Sequence, residues 1–177
     1  MATSTEDWRG EAALRSRDEF VAAYAHPFLL ALSGLEAPRA PARTVRMEGG
    51  PELMAALKAE RRRLAGGERT PAVLPVVKVQ ATFPSMITVG RARNNDLVVS
   101  DVLVSKFHAF FRQLDDGAWA LADAGSANGT RIGEVELPPK GAPERLHAGD
   151  KITFGVSVFR FVDAAGLWAA LREPPPR

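Results

Sequence analysis

The sequence predicts a mainly β protein in which an antiparallel sandwich follows a helical N-terminal segment and precedes a short C-terminal helix. Residues 1–70 carry helix signals, whereas residues 71–163 consist of short β-rich runs divided by turn residues. Helical spacing returns at residues 164–172, just before a run of prolines. We therefore divide the chain into a helical extension with a linker (1–70), a β-sandwich (71–163), and a short helix with a proline-rich tail (164–177).

The first helix is indicated by a capping box. Ser16 is followed three residues later by Glu19, and apolar residues then share one helical face until Pro27, namely Phe20, Val21 and Tyr24. The apolar run over residues 28–32 comes before a glycine. We interpret it as a second short turn or a kinked continuation of the helix.

A linker and a second helix complete the N-terminal segment. Residues 36–50 contain prolines and glycines with few large apolar residues, a composition typical of a loop. Pro51 suits a first helical turn, Gly66 suits the position after a last turn, and the leucines between them share one face, at Leu53, Leu57 and Leu64. The sequence thus predicts a helix over residues 51–66.

The β half is predicted from short runs separated by turn residues. They span residues 76–83, 86–89, 97–99, 108–114, 118–121, 151–154 and 156–162. Alternating apolar residues indicate a sheet with one buried face in three of the runs, in the pairs Trp119 and Leu121, Ile152 and Phe154, and Phe159 and Phe161. Residues 115–117 and 149–150 have the composition of turns between strands.

The last apolar pattern predicts a docking helix. Leu167, Trp168 and Leu171 recur at helical spacing before the terminal prolines. Because these side chains form one apolar face, we expect the helix to pack on an apolar part of the protein.

Composition excludes several classes of protein. The 23 basic and 21 acidic residues give a net charge of +2, too small a surplus for a broad nucleic-acid or membrane surface. The chain has no cysteine, which excludes disulfides, thiolate metal sites and a cysteine nucleophile. No apolar run reaches the roughly 18 residues of a membrane span, and the N-terminus is polar and acidic, so we expect a cytoplasmic protein.

The sequence carries no signature of catalysis. The three histidines, His26, His108 and His147, lack the spacing of metal ligands. The motifs of nucleotide-binding enzymes, serine hydrolases and kinases are also missing. We therefore expect a protein that is not an enzyme and that needs neither a metal nor a cofactor.

Three polar segments at predicted strand ends indicate an anion site. Gly90–Arg91 places a guanidinium beside a flexible backbone, Ser105–Lys106 supplies a hydroxyl and an ammonium, and the glycine-rich segment 125–130 carries the carboxamide of Asn128. Such groups hold a phosphate through charge-assisted hydrogen bonds, while a carboxamide can bind a peptide backbone. No general base accompanies them, so the set predicts binding without catalysis.

These segments resemble the motifs of the forkhead-associated (FHA) domain over residues 76–162. The resemblance rests on four ordered elements, which are Gly90–Arg91, Ser105 with His108, Asn128–Thr130 and Gly149–Asp150. It implies a β-sandwich of about eleven strands whose loops at one end bind phosphothreonine peptides. It also implies a partner phosphorylated on threonine and, upstream of that partner, a Ser/Thr protein kinase.

The resemblance assigns roles to individual residues. Arg91 would pair with the phosphate, Ser105 would donate its hydroxyl, and Lys106, where the family often has arginine, would add a charge or donor. Asn128 would hydrogen-bond the backbone of the bound peptide. Residues that would support the binding loops are Gly90, His108, Gly129 and Thr130. Ala127 stands where many members have threonine or serine.

The sequence therefore predicts a phosphothreonine-recognising, non-catalytic signalling adaptor. The alternative is a phospho-independent structural or scaffolding subunit with a degenerate site, which Ala127 and Lys106 favour. A variant of the first hypothesis is intramolecular binding. Thr3 and Thr5 lie beside acidic residues in the N-terminal tail, and some small bacterial members of the family that this chain resembles fold such a tail onto their own site.

Overall fold

The computed structural model of the chain describes residues 3–32, 72–101 and 103–173. The strands in these ranges are β1 (Thr3–Ser4), β2 (Phe28–Ala31), β3 (Ala72–Pro75), β4 (Ile87–Gly90), β5 (Leu97–Val98), β6 (Ala109–Gln113), β7 (Trp119–Asp123), β8 (Thr130–Ile132), β9 (Val135–Glu136), β10 (Glu144–Arg145), β11 (Lys151–Phe154) and β12 (Ser157–Val162). The helices are α1 (Thr5–Ala13), α2 (Arg17–Ala23) and α3 (Ala164–Arg172). None of these helices is long and apolar enough to cross a membrane.

The strands form two sheets around one apolar core. The first sheet has seven strands in the order β1-β3-β2-β12-β11-β8-β9, and the second has five in the order β10-β7-β6-β4-β5. Neighbouring strands are antiparallel, apart from the parallel pair β4 and β5. The core between the sheets includes Leu29, Phe111, Leu121, Phe154 and Phe159. The predicted mainly β sandwich is confirmed, with one parallel pair that the sequence did not indicate.

Alternation in the last two long strands is confirmed. Ile152 and Phe154 of β11, and Phe159 and Phe161 of β12, all belong to the core, and Ile152 lies directly opposite Phe159. Turns occupy both predicted positions, residues 115–117 and 149–150, and Gly117 and Gly149 both have positive φ. The period-two pattern thus identified the buried face of the sheet correctly.

Residues 28–31 correct the prediction for the N-terminal segment. The expected helical turn over residues 28–32 is wrong, because these residues form β2, between β12 and β3. Leu29 and Ala31 face the sandwich core, while Phe28 faces the opposite side, and all three are buried. A strand covered on both faces gives a continuous apolar run that periodicity alone cannot distinguish from a helix.

The strand predicted over residues 76–83 is also wrong. The strand here is β3, which ends at Pro75, and residues 76–86 have irregular backbone. The backbone N–H groups of Val79 and Gln80 donate to the carboxylate of Asp96, both at 2.7 Å, rather than to a neighbouring strand. Three short strands, β1, β9 and β10, were not predicted, because two residues give no periodic signal.

The helices pack against the outer face of the seven-stranded sheet. A second apolar cluster joins the three helices to β2, β3 and β12, through Trp8, Phe20, Leu167, Leu171, Phe28, Val73 and Val162. The predicted docking of the C-terminal helix is therefore confirmed. The capping box is confirmed as well, since Ser16 Oγ accepts from Glu19 N at 3.3 Å while Ser16 N donates to the Glu19 carboxylate at 2.8 Å. The linker at 36–50 and the helix at 51–66 lie outside the described residues.

Candidate functional site

Three loops leave the five-stranded sheet at the same end of its strands. Val89 of β4 lies opposite Ala109 of β6, which in turn lies opposite Asp123 of β7. Because these neighbouring strands are antiparallel, the end of β4, the start of β6 and the end of β7 lie side by side at one end of the sheet. We name the loops by their predicted site residues: the Arg91 loop (91–96), the Ser105 loop (103–108) and the Asn128 loop (124–129).

Backbone contacts join the Arg91 loop to the Ser105 loop. Arg91 N donates to Ser105 O at 2.9 Å, and Ala92 N donates to Lys106 O at 3.2 Å. A Cβ atom on Gly90 would lie 2.3 Å from Lys106 O, so only glycine permits this approach. The two loops that carry the predicted phosphate ligands are therefore held in direct contact.

The two predicted cationic ligands, Arg91 and Lys106, both adjoin the Ser105 loop or belong to it. The half-buried Arg91 side chain donates from Nε to Val104 O at 3.2 Å, which ties the guanidinium to the residue before Ser105. Lys106, directly after Ser105, is exposed. Two cationic residues and one hydroxyl thus belong to two loops in direct contact, and groups of these kinds can bind a phosphate.

Side chains join the Ser105 loop to the Asn128 loop. Ser105 Oγ accepts a hydrogen bond from Ala127 N at 3.0 Å, which leaves the hydroxyl hydrogen to donate elsewhere. The Asn128 side chain donates from Nδ2 to Leu103 O at 2.8 Å. Ala127 takes part through its main chain, so the lack of a hydroxyl at this position does not disturb the contact between the loops.

His108 holds both loops from beneath. Its imidazole is fully buried, Nδ1 accepts from Ser105 N at 2.9 Å, and Nε2 lies 3.0 Å from Gly129 O. Because the main-chain N–H can only donate, Nδ1 carries no hydrogen and Nε2 donates to the carbonyl. Burial lowers the pKa of the imidazole below its ordinary 6.5, and the bond to Gly129 opposes this without cancelling it.

Asp123 organises the Asn128 loop, a role that the sequence analysis missed. Its carboxylate accepts from Gly125 N at 2.7 Å and from the hydroxyls of Ser126 and Thr130, both at 2.6 Å. Burial raises the pKa of Asp123, but the hydrogen bonds from Ser126 and Thr130 outweigh it and keep the pKa below its ordinary value. The loop therefore closes around a buried negative charge, with Gly129 at φ +76°.

Asp96 plays the corresponding part at the end of the Arg91 loop and was also missed. Besides the two main-chain bonds to residues 79 and 80, it accepts from Thr88 N at 2.7 Å and from Lys78 Nζ at 2.8 Å. Burial raises the pKa of Asp96, yet hydrogen bonds from Gln80, Lys78 and Thr88 outweigh this effect and hold the pKa at about 2. Asn95 adds a bond from Nδ2 to Lys106 O at 2.6 Å.

The structure brings the predicted site residues to the end of the sandwich where the three loops lie. The four predicted ligands, Arg91, Ser105, Lys106 and Asn128, come from loops that contact one another directly. The predicted supporting residues, Gly90, His108, Gly129 and Thr130, lie at or below the same loops. The two aspartates escaped prediction because an aspartate in a polar loop has the sequence pattern of a surface residue. The sole, weak signal was their position at strand ends, since Asp96 directly precedes β5 and Asp123 is the last residue of β7.

Comparison with known proteins finds a family match within the β half. Residues 87–155 match the model of the FHA domain. The oxoglutarate dehydrogenase inhibitor of Corynebacterium glutamicum is 39% identical over 79 residues, which cover 45% of this chain and 50% of that protein. The protein of the same name from Corynebacterium diphtheriae is 37% identical over 76 residues, covering 43% and 50%. The chain thus spans about half the length of the curated relatives that it matches.

Solved structures of FHA domains are similar to this chain at low sequence identity. The FHA domain of yeast Dun1, solved with a doubly phosphorylated peptide, is 22% identical with a TM-score of 0.48, and the match covers 79% of this chain and 75% of that one. The FHA domain of the CT664 protein from Chlamydia trachomatis is 20% identical with a TM-score of 0.42, covering 77% and 97%. On the match to the family model, we conclude that residues 87–155 of this chain form an FHA domain.

Proposed function

We propose that this chain binds phosphothreonine peptides at the end of the sandwich where the three loops meet, and that it acts as a non-catalytic signalling adaptor. The ligand is a protein phosphorylated on threonine by a Ser/Thr kinase, and the expected compartment is the cytoplasm. The observation that carries the proposal is the direct contact of three loops that each present a predicted ligand.

Each ligand has a distinct task in the proposed complex. The Arg91 guanidinium pairs with the phosphate, the Ser105 hydroxyl donates to a phosphate oxygen, and Lys106 adds a second positive charge. Asn128 hydrogen-bonds the peptide backbone, either in place of its bond to Leu103 O or in addition to that bond. His108 and Asp123 contact no ligand and keep the loops in position.

The expected affinity is modest. Each charge-assisted hydrogen bond contributes roughly 1.5–3 kcal/mol, but ordering a flexible peptide costs several kcal/mol in return. Lys106 is also a point charge, without the planar fork of arginine, so it holds the phosphate less rigidly. We therefore expect a dissociation constant on the order of micromolar, about −8 kcal/mol.

A regulatory role agrees with the names of the relatives. The Corynebacterium proteins are called inhibitors of oxoglutarate dehydrogenase, which describes control of another protein. We propose oxoglutarate dehydrogenase as one candidate partner of this chain, because the relatives are named as its inhibitors. The proposed site supplies cations and hydrogen-bond donors without a nucleophile and base pair, which favours binding over chemistry.

A peptide titration tests the proposal directly. Three fluorescent peptides of one sequence, with phosphothreonine, phosphoserine or threonine, are titrated by anisotropy with the full chain. We expect binding of the phosphothreonine peptide and none of the unmodified one. Arg91→Ala should raise the dissociation constant about 30-fold, roughly 2 kcal/mol. Arg160→Ala is the matched control, because Arg160 is an exposed arginine on β12 of the other sheet.

The scaffold alternative predicts the opposite results. Equal affinity for phosphorylated and unmodified peptides would overturn the proposal. So would capture of a partner from lysate that survives both phosphatase treatment and Arg91→Ala. Partner capture that requires the phosphate and the guanidinium supports it.

The N-terminal tail is proposed as a second, intramolecular ligand. The backbone of Thr3 and Ser4 pairs with β3 at one margin of the seven-stranded sheet, whereas β8, which follows Asn128, lies near the other margin. Five strand spacings separate β1 from β8, roughly 24 Å. The tail must therefore leave β3 before it reaches the site. Mass spectrometry that never detects phosphate on Thr3 or Thr5 in cells would remove this ligand.

A further inference from the structure

Lys140 is an exposed lysine held in a left-handed backbone conformation. Its φ is +57°, a region that residues other than glycine uncommonly adopt. Gly141 N donates to Pro138 O at 2.9 Å, which closes a turn with Lys140 at its third position. A positive φ at the third position of a turn normally selects glycine or asparagine. Lysine therefore costs free energy here that glycine would not, and residues strained in this way concentrate at functional sites.

The Lys140 side chain lies across the Asn128 loop. Gly125, the second residue of this loop, is exposed. A Cβ atom on Gly125 would lie 2.8 Å from Cε, 3.3 Å from Cγ and 3.6 Å from Cδ of Lys140. Three of the four methylene carbons of the lysine thus run over the main chain of Gly125. Long charged side chains often cover a neighbouring surface with their aliphatic stem in this way, and the stem then contributes through packing.

Asp123 connects the strained turn to the loop. Its main-chain oxygen accepts from Lys140 N at 3.0 Å, and Pro139 forms a bridge with the same residue. Its carboxylate accepts from Gly125 N at 2.7 Å and from Ser126 N at 2.8 Å. The main chain of Asp123 therefore fixes the lysine while its side chain fixes the start of the loop. This common anchor keeps the stem and the loop in contact.

The segment under the stem leads directly into the proposed site. Two residues after Gly125, Ala127 N donates to Ser105 Oγ at 3.0 Å. The proposed ligand Asn128 follows in the chain. Movement at the start of so short a loop would displace both groups. Gly125 has no side chain with which to pack, and the stem of Lys140 supplies that packing.

The charge of Lys140 does not distinguish it from other surface lysines. Lys78 and Lys151 each pair with a carboxylate, at 2.8 Å and 2.9 Å, whereas Lys140 has no such partner in the part of the chain that the structure describes. An ammonium group needs no strained backbone to reach solvent. The feature that sets Lys140 apart is the contact of its stem with Gly125.

We infer that Lys140 is a positioning residue of the phosphopeptide site, and that its aliphatic stem, rather than its charge, holds the Asn128 loop in the binding conformation. This inference rests on the proposed function. A loop that is ordered before the ligand arrives loses less conformational entropy on binding, so the stem raises the affinity without touching the peptide. Glycine at this position would relieve the strain but lose the stem. Stability and affinity should therefore respond differently to that substitution.

Two variants of the full chain separate the stem from the charge. Lys140→Gly removes both and relieves the backbone strain, whereas Lys140→Met keeps an unbranched apolar stem without the charge. We expect Lys140→Gly to bind the phosphothreonine peptide about fivefold more weakly than the parent protein, with a urea midpoint equal to or above that of the parent. Lys140→Met should bind within about twofold of the parent.

Hydrogen exchange of the free protein measures the loop itself. The main-chain amides of residues 125–127 should exchange faster in Lys140→Gly than in the parent, and at the parent rate in Lys140→Met. The amides of Arg91 and Ala92 are the internal control, because they donate to the Ser105 loop and have no contact with the stem. Their exchange should be the same in all three proteins.

The outcomes separate the inference from the function that it rests on. Phosphate-dependent binding that is unchanged in Lys140→Gly overturns the inference alone. An equal loss of affinity in Lys140→Met and Lys140→Gly would assign the role to the ammonium group and overturn it too. So would a lower urea midpoint in Lys140→Gly, because the stem would then serve the stability of the whole domain. Equal affinity of the parent protein for phosphorylated and unmodified peptides overturns the proposed function and this inference with it.

Discussion

At the scale of single residues, the site depends on groups that contact no ligand. His108 joins the Ser105 loop to the Asn128 loop through one imidazole, and Asp123 holds the Asn128 loop through one carboxylate. The predicted ligands were visible in the sequence because their residue types and spacing are unusual. The aspartates were not, since only the folded chain shows that their carboxylates are buried and accept several hydrogen bonds.

We predict that His108 makes the stability of the protein fall in mild acid. The native imidazole stays neutral because its pKa lies below 6.5, while in the unfolded chain it takes up a proton below about that pH. The unfolded state then binds more protons, so the free energy of unfolding decreases as the pH falls from 6.5 towards the native pKa. Urea unfolding at several pH values between 7.5 and 5 measures the slope.

Two variants control this experiment. His108→Gln removes the imidazole and should flatten the slope, whereas His147→Gln should keep it, because the His147 side chain is 74% exposed. Asp96 does not interfere, since its pKa of about 2 means that it loses its contribution to stability only as the pH falls below its ordinary 3.8. Parallel slopes for the parent protein and His108→Gln would contradict the prediction. Unfolding isolates the titration of His108 better than peptide binding does, because the phosphate of a bound phosphopeptide itself titrates near pH 6.

Gly90 and Gly10 should respond to the same substitution with opposite signs. In Gly90→Ala the new Cβ would lie 2.3 Å from Lys106 O, so the contact between two site loops must shift. We expect a loss of about 1–3 kcal/mol in the free energy of unfolding. In Gly10→Ala no atom lies within 4 Å of the new Cβ, and alanine should stabilise α1 by about 0.5–1 kcal/mol. Denaturant unfolding measures both, and a stable Gly90→Ala protein would refute the close approach.

At the scale of the elements, the helices form a separate layer with its own apolar contacts. The first helix signal, the capping box at Ser16 and Glu19, was correct because it depends on residues only three apart. The prediction at residues 28–32 failed because the alternative, a strand between β12 and β3, depends on partners more than 40 residues away. Local signals decide helix starts, while distant pairing decides whether an apolar run becomes a strand.

Leu167 tests the packing of the helical layer. It is fully buried in the second apolar cluster, so Leu167→Ala should lower the free energy of unfolding by about 2–5 kcal/mol. Leu14→Ala is the control, because Leu14 is 83% exposed and the change should stay within about 0.5 kcal/mol. We expect the phosphopeptide affinity of folded Leu167→Ala to be unchanged, since the cluster lies on the opposite side of the seven-stranded sheet from the core. Equal stabilities of the two variants would show that α3 is not docked.

At the scale of the whole molecule, β2 of the N-terminal segment is part of the seven-stranded sheet. The region that matches the FHA model, residues 87–155, contains every predicted ligand. The seven-stranded sheet is nevertheless continuous only through β2, which pairs with β12 on one side and β3 on the other. The strands β2 and β3, which lie on opposite sides of the predicted boundary near residue 70, therefore pair within one sheet.

We predict that a piece comprising residues 72–173 does not fold on its own. Without β2 the strand β12 loses a partner, and the core loses Leu29 and Ala31. Urea unfolding followed by circular dichroism should give a cooperative transition for the full chain and none for the piece. In the full chain, Leu29→Asp should reproduce the loss and Leu32→Asp should not, because Leu29 is fully buried whereas Leu32 is 45% exposed. Cooperative unfolding of the piece would show that the β half is independent.

The sequence by itself determined the sandwich, its turns and the capping box of α2, and it supplied the candidate ligands, because each depends on neighbouring residues or on a short motif with fixed spacing. The tertiary structure alone decided three further features. It placed residues 28–31 within the sheet, it buried Asp96 and Asp123 as acceptors beneath the loops, and it set the side chain of Lys140 against Gly125 of the Asn128 loop. All three depend on contacts between segments distant in the chain, and the free energy of such contacts is absent from any local pattern.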